Sequence, residues 1–382
     1  MKVLYISSPS FLDVDLSYIR SISSKIEVVY LMDLAPTTLK KTVLNIESQI
    51  KKTSILHASM YKELLLFTNY MKCDCYVINR IKGKFISLET IQIYFKIKQF
   101  IKQHNPDIIH YNNTVNLGIL GCLFNNYKKV ITIHDPIPHL GDNNFTNKLI
   151  RKLNFIYIKN YILLNKNQRE CFIKKYDIDA SAVFCSKLGV YDFYTNYYDI
   201  QNDKNENDQT ILFFGRIAKY KGIAVLLESF TQVKEKFKNA KLIIAGCGKF
   251  DFDAYDTQQV TILNKYIEPD ALFTLIKKCS IVVCPYTEAT QSGVVMTSFS
   301  MLKPVIVTHV GGLSEMVTHN ETGIIIEPNN SDALRDAITY AFENPNKLDF
   351  LSTTIKTKYF DDGEFAWNSI ANEIIDIYKE LK

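Results

Sequence analysis

Short apolar runs alternate with longer amphipathic stretches along almost the whole chain. In the first half the apolar runs are Val3–Ser7, Ile26–Leu31, Cys75–Ile78, Ile108–Tyr111, Lys129–Ile133 and Tyr161–Leu164. Helical periodicity fills the stretches between them, as over Ser87–His104. Most of the runs are continuously apolar rather than alternating. That is the pattern of strands in a parallel sheet with helices on both faces. Alternation of this kind predicts a doubly wound α/β domain.

The alternation breaks at Ile200–Gln209, a polar stretch without apolar period, and resumes at Thr210–Phe214. The second half then reads as a helix at Ile223–Lys236, strands at Lys241–Ala245 and Val260–Leu263, and a helix at Asp270–Lys278. A strand at Ile281–Cys284, a helix at Gly293–Met301 and strands at Pro304–Thr308 and Gly323–Ile326 follow. Helices at Ser331–Glu343 and Glu364–Leu381 come last. The expectation is two Rossmann-like domains over residues 1–200 and 210–361, a linker over 201–209 and a separate helix over 362–382. Two such domains facing each other would put the carboxyl ends of both sheets at a deep interdomain cleft, where open α/β sheets bind ligands.

Composition narrows the function more by exclusion than by indication. The 382 residues are 47% hydrophobic, 12% aromatic and 22% charged, as in a folded globular chain. That excludes a disordered tail, a collagen-like chain and a small disulfide scaffold. Lys+Arg 45 against Asp+Glu 40 leaves only +5, too little to point to nucleic acid, but compatible with a basic face towards phosphates or anionic lipid. The eight cysteines are scattered. Only Cys73-Asp-Cys75 is a close pair and no second pair answers it, so no metal site is expected. Cys247 and Cys284 lie in or after apolar runs and read as small core residues, in keeping with a reducing cytoplasm. The opening Met1–Ser8 reads as a first strand rather than a signal peptide, and no apolar run is long enough to span a bilayer. A chain rich in Lys, Asn, Ile and Tyr suggests an AT-rich bacterial genome.

The strongest chemical signal is Phe213-Phe-Gly-Arg-Ile-Ala-Lys-Tyr-Lys-Gly222. A strand ends at Gly215, and Arg216 and Lys221 stand in the loop before a helix. Arg offers a planar fork for phosphate oxygens and Lys a point charge. The helix behind them adds its positive end. A solvated basic loop is the plainer reading of any one of these residues; two glycines and two cations in a strand-loop-helix frame favour phosphate. A second signal is Ala245-Gly246-Cys-Gly248 after a buried strand, weak by itself and lacking the third glycine of a dinucleotide fingerprint. The third is Val283-Cys-Pro-Tyr-Thr-Glu288-Ala-Thr-Gln291-Ser292-Gly293. A strand stops, a polar loop follows, and a helix opens whose first N–H groups are free for an anion, with Thr290 or Ser292 as its cap.

The order of these pieces resembles the retaining family 4 glycosyltransferases of the GT-B fold. Gly-Arg-x4-Lys-Gly, Ala-Gly-x-Gly and Pro-Tyr-x-Glu are followed by Lys303-Pro-Val-Ile-Val-Thr-His-Val-Gly-Gly-Leu-Ser-Glu315 and Glu321-Thr-Gly-Ile-Ile-Ile-Glu-Pro328. The likeness is dense over 210–328 and looser before it, where Val130-Ile-Thr-Ile-His-Asp-Pro-Ile-Pro-His139 is similar to the family's strand ending in a His-Asp pair. The resemblance implies an acceptor domain first, a nucleotide-sugar donor domain second, and a last helix, with Phe365-Ala-Trp-Asn368, crossing back to the first. It implies that Arg216 and Lys221 hold the donor diphosphate, that His134 contacts the transferred sugar, and that Glu288 is the first Glu of a Glu-x7-Glu motif. Asn264, Lys265, Tyr266 and Ile267 would lie beside the base. Gly215, Gly246, Gly248, Gln291, Ser292 and Gly293 would line the phosphates and ribose. No cofactor or metal is implied; the nucleotide diphosphate sugar is a co-substrate.

The chain departs from that pattern at Thr297, which stands where the second Glu usually does and carries no charge. The Gly-Gly turn after the first strand is replaced by Ser7-Ser-Pro-Ser-Phe-Leu-Asp13. Asp13-Val-Asp15 and Asp251-Phe-Asp253 read as solvated loop carboxylates, and His57, His104, His110, His309 and His319 as isolated surface or satisfied core residues. Asn147–Lys159, and Lys96, Lys98 and Lys102, fit either an interfacial membrane helix or a solvated basic helix face. The resulting expectation is a cytoplasmic or membrane-peripheral transferase of bacterial surface polysaccharide synthesis. Its donor would be a UDP-sugar ahead of a GDP-sugar, and its acceptor a saccharide or polyprenyl-linked saccharide. A nucleotide-sugar 2-epimerase and a non-catalytic sugar-nucleotide-binding subunit are the alternatives.

Overall fold

The computed structural model describes residues 1–41, 43–83, 87–114, 126–137, 145–196, 209–289 and 291–382. The chain divides into two units, Met1–Gly189 with Trp367–Lys382, and Val190–Ala366. Most of the expected linker, 201–208, and with it the stretch 197–200, lies outside the described residues.

The first unit opens with β1 (Lys2–Ser7), α1 (Leu12–Ser23), β2 (Glu27–Leu34) and a two-residue hairpin of β3 (Lys40–Lys41) and β4 (Leu44–Asn45). It continues with β5 (Ser54–His57), α2 (Leu65–Met71), β6 (Asp74–Asn79), α3 (Leu88–His104) and β7 (Ile108–Asn112). Then come β8 (Lys128–Ile133), α4 (Phe145–Tyr157), β9 (Asn160–Leu163), α5 (Arg169–Tyr176) and β10 (Val183–Cys185). The sheet order is β10-β9-β8-β7-β1-β2-β6-β5, parallel except for the edge strand β5. Leu4, Ile6, Val29, Leu31, Ile109 and Ile131 form its core, packed under Ile93, Ile97 and Ile101 of α3. The continuous apolar runs are strands for the reason expected: β7 is buried at every position because both faces are covered.

The second unit is built from β11 (Thr210–Phe214), α6 (Ile223–Lys236), β12 (Lys241–Gly246), β13 (Val260–Asn264), α7 (Pro269–Lys278) and β14 (Ile281–Cys284). It is completed by α8 (Gly293–Ser300), β15 (Val305–Thr308), α9 (Leu313–Met316), β16 (Gly323–Ile326), α10 (Ser331–Glu343) and α11 (Pro345–Tyr359). Its sheet is wholly parallel, in the order β13-β12-β11-β14-β15-β16. The strand order reverses between β11 and β14, which pair through Ile211 with Ile281 and Leu212 with Val282. Ligands of doubly wound sheets bind at such a switch point.

The last helix, α12 (Trp367–Leu381), belongs to the first unit and packs on α1. Its Trp367 lies against Gly189, where an added Cβ would come within 2.6 Å of the indole, and meets the Tyr18 ring edge-on at 5.9 Å. Tyr378 completes the contact through hydrogen bonds to Tyr18 and His110.

Two sequence expectations are overturned. Cys247, expected as a small core residue, is exposed in the loop after β12. Asp13 and Asp15 are not solvated loop carboxylates: both lie in the first turn of α1, and Asp15 is fully buried. Its carboxylate accepts hydrogen bonds from Tyr5, Tyr30 and Asn112, which replace the water that burial removes. Asp251 and Asp253 are exposed, as expected. No helix of the described residues is long and apolar enough to cross a membrane.

Candidate functional site

The two loops that leave the switch-point strands are locked together. The loop after β11 carries Gly215, Arg216 and Lys221; the loop after β14 carries Tyr286, Glu288 and Gln291. The Thr287 N–H donates to the Tyr220 carbonyl at 2.8 Å. Gly222 precedes α6 at φ 67°, and its Cα lies so close to Pro285 that an added Cβ would stand 1.8 Å from that carbonyl oxygen. Only glycine fits both the left-handed conformation and the close approach. Gly246, at the end of β12, has φ 155°, and a Cβ there would sit 1.7 Å from the Gly215 carbonyl oxygen. The loop from Gly246 to Gly248 is in turn clamped from β13. Gly248 N–H donates to Asn264 Oδ1 at 3.2 Å, and Asn264 Nδ2 donates to the Gly248 carbonyl at 3.1 Å.

Within this frame Arg216 is exposed and Lys221 half-buried. The Lys221 ammonium lies 3.5 Å from the centroid of the Tyr286 ring and 5.1 Å from that of Tyr220. An aromatic face attracts a cation without neutralising it, so the charge stays available to an anion. Burial first, and then repulsion from Arg216, push the ammonium down to about 8, against an opposing pull from Cys284. Two cations close enough to repel each other in a partly dry loop gain from a shared anion.

The start of α8 faces the same requirement. Ser292 is its N-cap residue, but its hydroxyl makes no capping bond. The Ser292 and Tyr286 hydroxyls are both buried, and neither has a hydrogen-bond partner among the described residues. Unpaired buried hydroxyls beside unpaired helix N–H groups call for a polar ligand. Gly293 is exposed at the first helical position, Gln291 is half-buried, and Glu288 is exposed on the loop. Thr297 is buried one turn into α8. Lys265 and Tyr266, past the end of β13, are exposed, and Ile267 is half-buried. Thr290 lies outside the described residues.

The structure thus gathers Gly215, Arg216, Lys221, Gly246, Gly248 and residues 286–289 and 291–293 at the carboxyl edge of one sheet. His134 belongs to the first unit, immediately after β8. It is buried, with Nε2 2.7 Å from Asn112 Oδ1 and its ring stacked on Phe11 at 4.4 Å. Burial pushes its imidazole down to about 4, against a smaller pull from Asp135, so it is neutral at pH 7. His139 lies outside the described residues. The sequence pattern did not single out Tyr286 as the seat of Lys221, Asn264 as a clamp, or the Asp15–Asn112 pair behind His134. Among the described residues no three His, Cys, Asp or Glu side chains are gathered to hold a metal ion.

Two family profiles match the chain: "Glycosyl transferases group 1" over residues 197–357 and "Glycosyl transferase 4-like" over 28–165. An uncharacterized glycosyltransferase of Methanocaldococcus jannaschii is 28% identical over 180 residues, 46% of this chain and 45% of that protein. A second from the same organism is 25% identical over 310 residues, 78% of this chain and 82% of that one. The lipopolysaccharide 1,2-N-acetylglucosaminetransferase of Salmonella typhimurium is 25% identical over 187 residues, 44% of this chain and 47% of that protein. The chain therefore spans less than half the length of two of these three relatives. Among solved structures, Anabaena HepE in complex with UDP shares the fold across all of both chains, at TM-score 0.65 and 15% identity.

Proposed function

We propose a function from one premise: the chain belongs to the GT-B glycosyltransferases. It transfers a sugar, with retention of configuration, from a nucleoside diphosphate sugar to a saccharide or polyprenyl-linked saccharide in bacterial surface polysaccharide synthesis. The observation that carries this reading is the paired loops at the β11/β14 switch point. They combine two cations, a helix start and two unpaired buried hydroxyls in one place.

The chemistry asks little covalent work of the protein. The bond from the anomeric carbon to the diphosphate breaks, and negative charge grows on the leaving oxygen. Preorganised donors aimed at that oxygen lower the barrier. Arg216, Lys221 and the N–H groups opening α8 take that part, with Gln291, Ser292 and Gly293 along the phosphates and ribose. The acceptor oxygen attacks on the face the diphosphate leaves, and its proton passes to the departing phosphate. Glu288 receives sugar hydroxyls, Lys265–Ile267 flank the base, and Thr297 gives one uncharged hydrogen bond where a second Glu is usual. His134 meets a saccharide hydroxyl. No metal takes part, so chelator should leave turnover unchanged.

UDP is favoured as the nucleotide; the UDP bound in HepE supports it. The outward face of α3 supports a lipid-linked acceptor: Leu88, Ile91 and Phe95 are exposed there, followed by Lys98 and Lys102. The test is purified protein with bacterial membranes and a panel of UDP- and GDP-sugars. Acceptor-dependent release of nucleoside diphosphate is expected. No release from any donor, or conversion of UDP-N-acetylglucosamine to an epimer without acceptor, would overturn the reading.

A further inference from the structure

His134 does not stand alone in the first unit. Its Nε2 faces Oδ1 of Asn112, the last residue of β7, at 2.7 Å. The other end of the same amide, Nδ2, stands 2.8 Å from Asp15 Oδ1. Asp15 also receives the hydroxyls of Tyr5 at 3.0 Å and Tyr30 at 2.8 Å. The five residues reach this point from five neighbouring pieces of the fold: α1, the ends of β7 and β8, and β1 and β2.

The direction of this chain of bonds follows from hydrogen-bonding capacity. The Asp15 oxygen facing Asn112 accepts from Tyr5 as well, so it requires the NH2 end of the amide. The Asn112 carbonyl is then turned to His134. A carbonyl only accepts, so the proton must lie on Nε2. In a neutral imidazole the other nitrogen, Nδ1, then carries a lone pair. Nδ1 has no hydrogen-bond partner among the described residues. Phe11, stacked on the ring with the planes at 24°, holds it against rotation. Burial keeps the ring neutral down to about pH 4, so Nδ1 does not become a donor at working pH. The ring borders a narrow cleft in the same unit, with Thr132, Ser186 and Trp367 among its other walls.

We propose that Asp15 and Asn112 are positioning residues that fix His134 as the Nε2–H tautomer, so that Nδ1 accepts a hydrogen bond from a saccharide hydroxyl. The saccharide part rests on the function proposed above; the tautomer part does not. The imidazole then acts neither as a cation towards phosphate nor as a donor towards a ring or carbonyl oxygen. A deoxy sugar lacking the matching hydroxyl would leave Nδ1 unpaired, which makes the site selective for the hydroxylated sugar.

The decisive measurement uses the whole unliganded protein with ¹⁵N-labelled histidine. Two-bond proton–nitrogen spectra report which ring nitrogen is protonated, and the His134 signal is identified by its loss in His134→Gln. The expected result is a single Nε2–H tautomer at about pH 8, where the Asp15 carboxyl, raised to about 7 by burial, is ionised and can only accept. An Nδ1–H tautomer, or an imidazolium at pH 7, would overturn the proposal without any variant having to fold. In Asn112→Ala the signal should become a mixture of tautomers. Transfer should fall at least about tenfold, while UDP affinity stays within about twofold of the original. Asp15→Asn should move the same spectrum in the same direction by a smaller amount. An unchanged tautomer with unchanged turnover in a folded Asn112→Ala variant would also overturn it. A fixed Nε2–H tautomer in a protein that transfers no sugar would instead sink the transferase reading and leave the relay standing.

Discussion

The Lys221 ammonium stands over the face of Tyr286, 3.5 Å from the ring centroid, although the two residues come from loops after different strands. Its proton is held less tightly than an ordinary lysine's, at about 8 against 10.5. Between those values the unfolded chain binds the proton and the folded chain does not, so stability rises with pH across that window. Binding runs the other way, because a diphosphate needs the ammonium. UDP affinity should therefore be flat below about pH 8 and weaken above it. Calorimetry at pH 9 in two buffers of different ionisation enthalpy should show proton uptake on binding. No uptake would mean that Lys221 does not meet the phosphates.

Removing either cation tests the cradle directly. A charged hydrogen bond is worth roughly 1.5–3 kcal/mol, so Arg216→Ala and Lys221→Ala should each lower turnover by about 10- to 150-fold. Arg216 is exposed and Lys221 half-buried, so neither variant should lose its fold. Full activity in a folded variant would remove that residue from the site.

The backbone contacts that seat the loops give an outcome of the opposite kind. Gly222→Ala and Gly246→Ala would each press a Cβ into a carbonyl oxygen under 2 Å away. Left-handed strain alone costs about 1–3 kcal/mol. Both variants should melt lower and lose UDP binding together, unlike the cation variants. Normal melting of either would contradict the close packing of Pro285 on Gly222, or of Gly215 on Gly246.

Trp367 is the chain's single tryptophan, so its fluorescence reports the first unit alone. Trp367→Ala should destabilise that unit by about 3–5 kcal/mol. The same probe reads an acid response. Burial holds His110 down to about 3 and His134 down to about 4, below the ordinary 6.5. The unfolded chain takes up these protons first, so the two groups lower stability as pH falls from about 6.5 to 4. Asp15, raised to about 7 by burial, acts in the opposite sense over much of that range. Thermal melts should show a smaller acid loss in His134→Gln than in the original protein; an equal loss would place the imidazole in water.

Outward-facing Leu88, Ile91 and Phe95 on α3 should bind vesicles containing anionic phosphatidylglycerol more tightly than neutral ones, with the preference falling as salt rises. Losing about 1.5 kcal/mol of apolar burial makes Phe95→Ser roughly tenfold weaker. Co-sedimentation checks both, and equal binding to neutral vesicles would remove Lys98 and Lys102 from the contact.

The strands were legible because burial on both faces writes a continuous apolar run, as in Ile281–Cys284. β5 was not, because an edge strand buried on one side leaves only Leu56 fully enclosed. Helix α11, with few buried positions among many polar ones, was also missed. At the candidate site, what lies within one loop could be read: Arg216, Lys221 and Gly222 follow a single strand. What joins distant segments could not. Asp15 looks like any Asp-x-Asp carboxylate until Tyr30 and Asn112, 15 and 97 residues away, close over it. The Tyr286 ring likewise becomes a seat for Lys221 only once β14 pairs with β11.

The first unit is interrupted in sequence, since α12 belongs to it but is separated from Gly189 by the whole second unit. A ribosome making about 5–20 residues per second needs on the order of 10–30 s to synthesise that insertion. Throughout that time the face of α1 that carries Tyr18, and the imidazole of His110, await Trp367 and Tyr378. The second unit has all its strands before α12 is made and can fold first. The nascent first unit meanwhile presents an open apolar surface, which is where chaperone capture, proteolysis or premature termination would act on this protein.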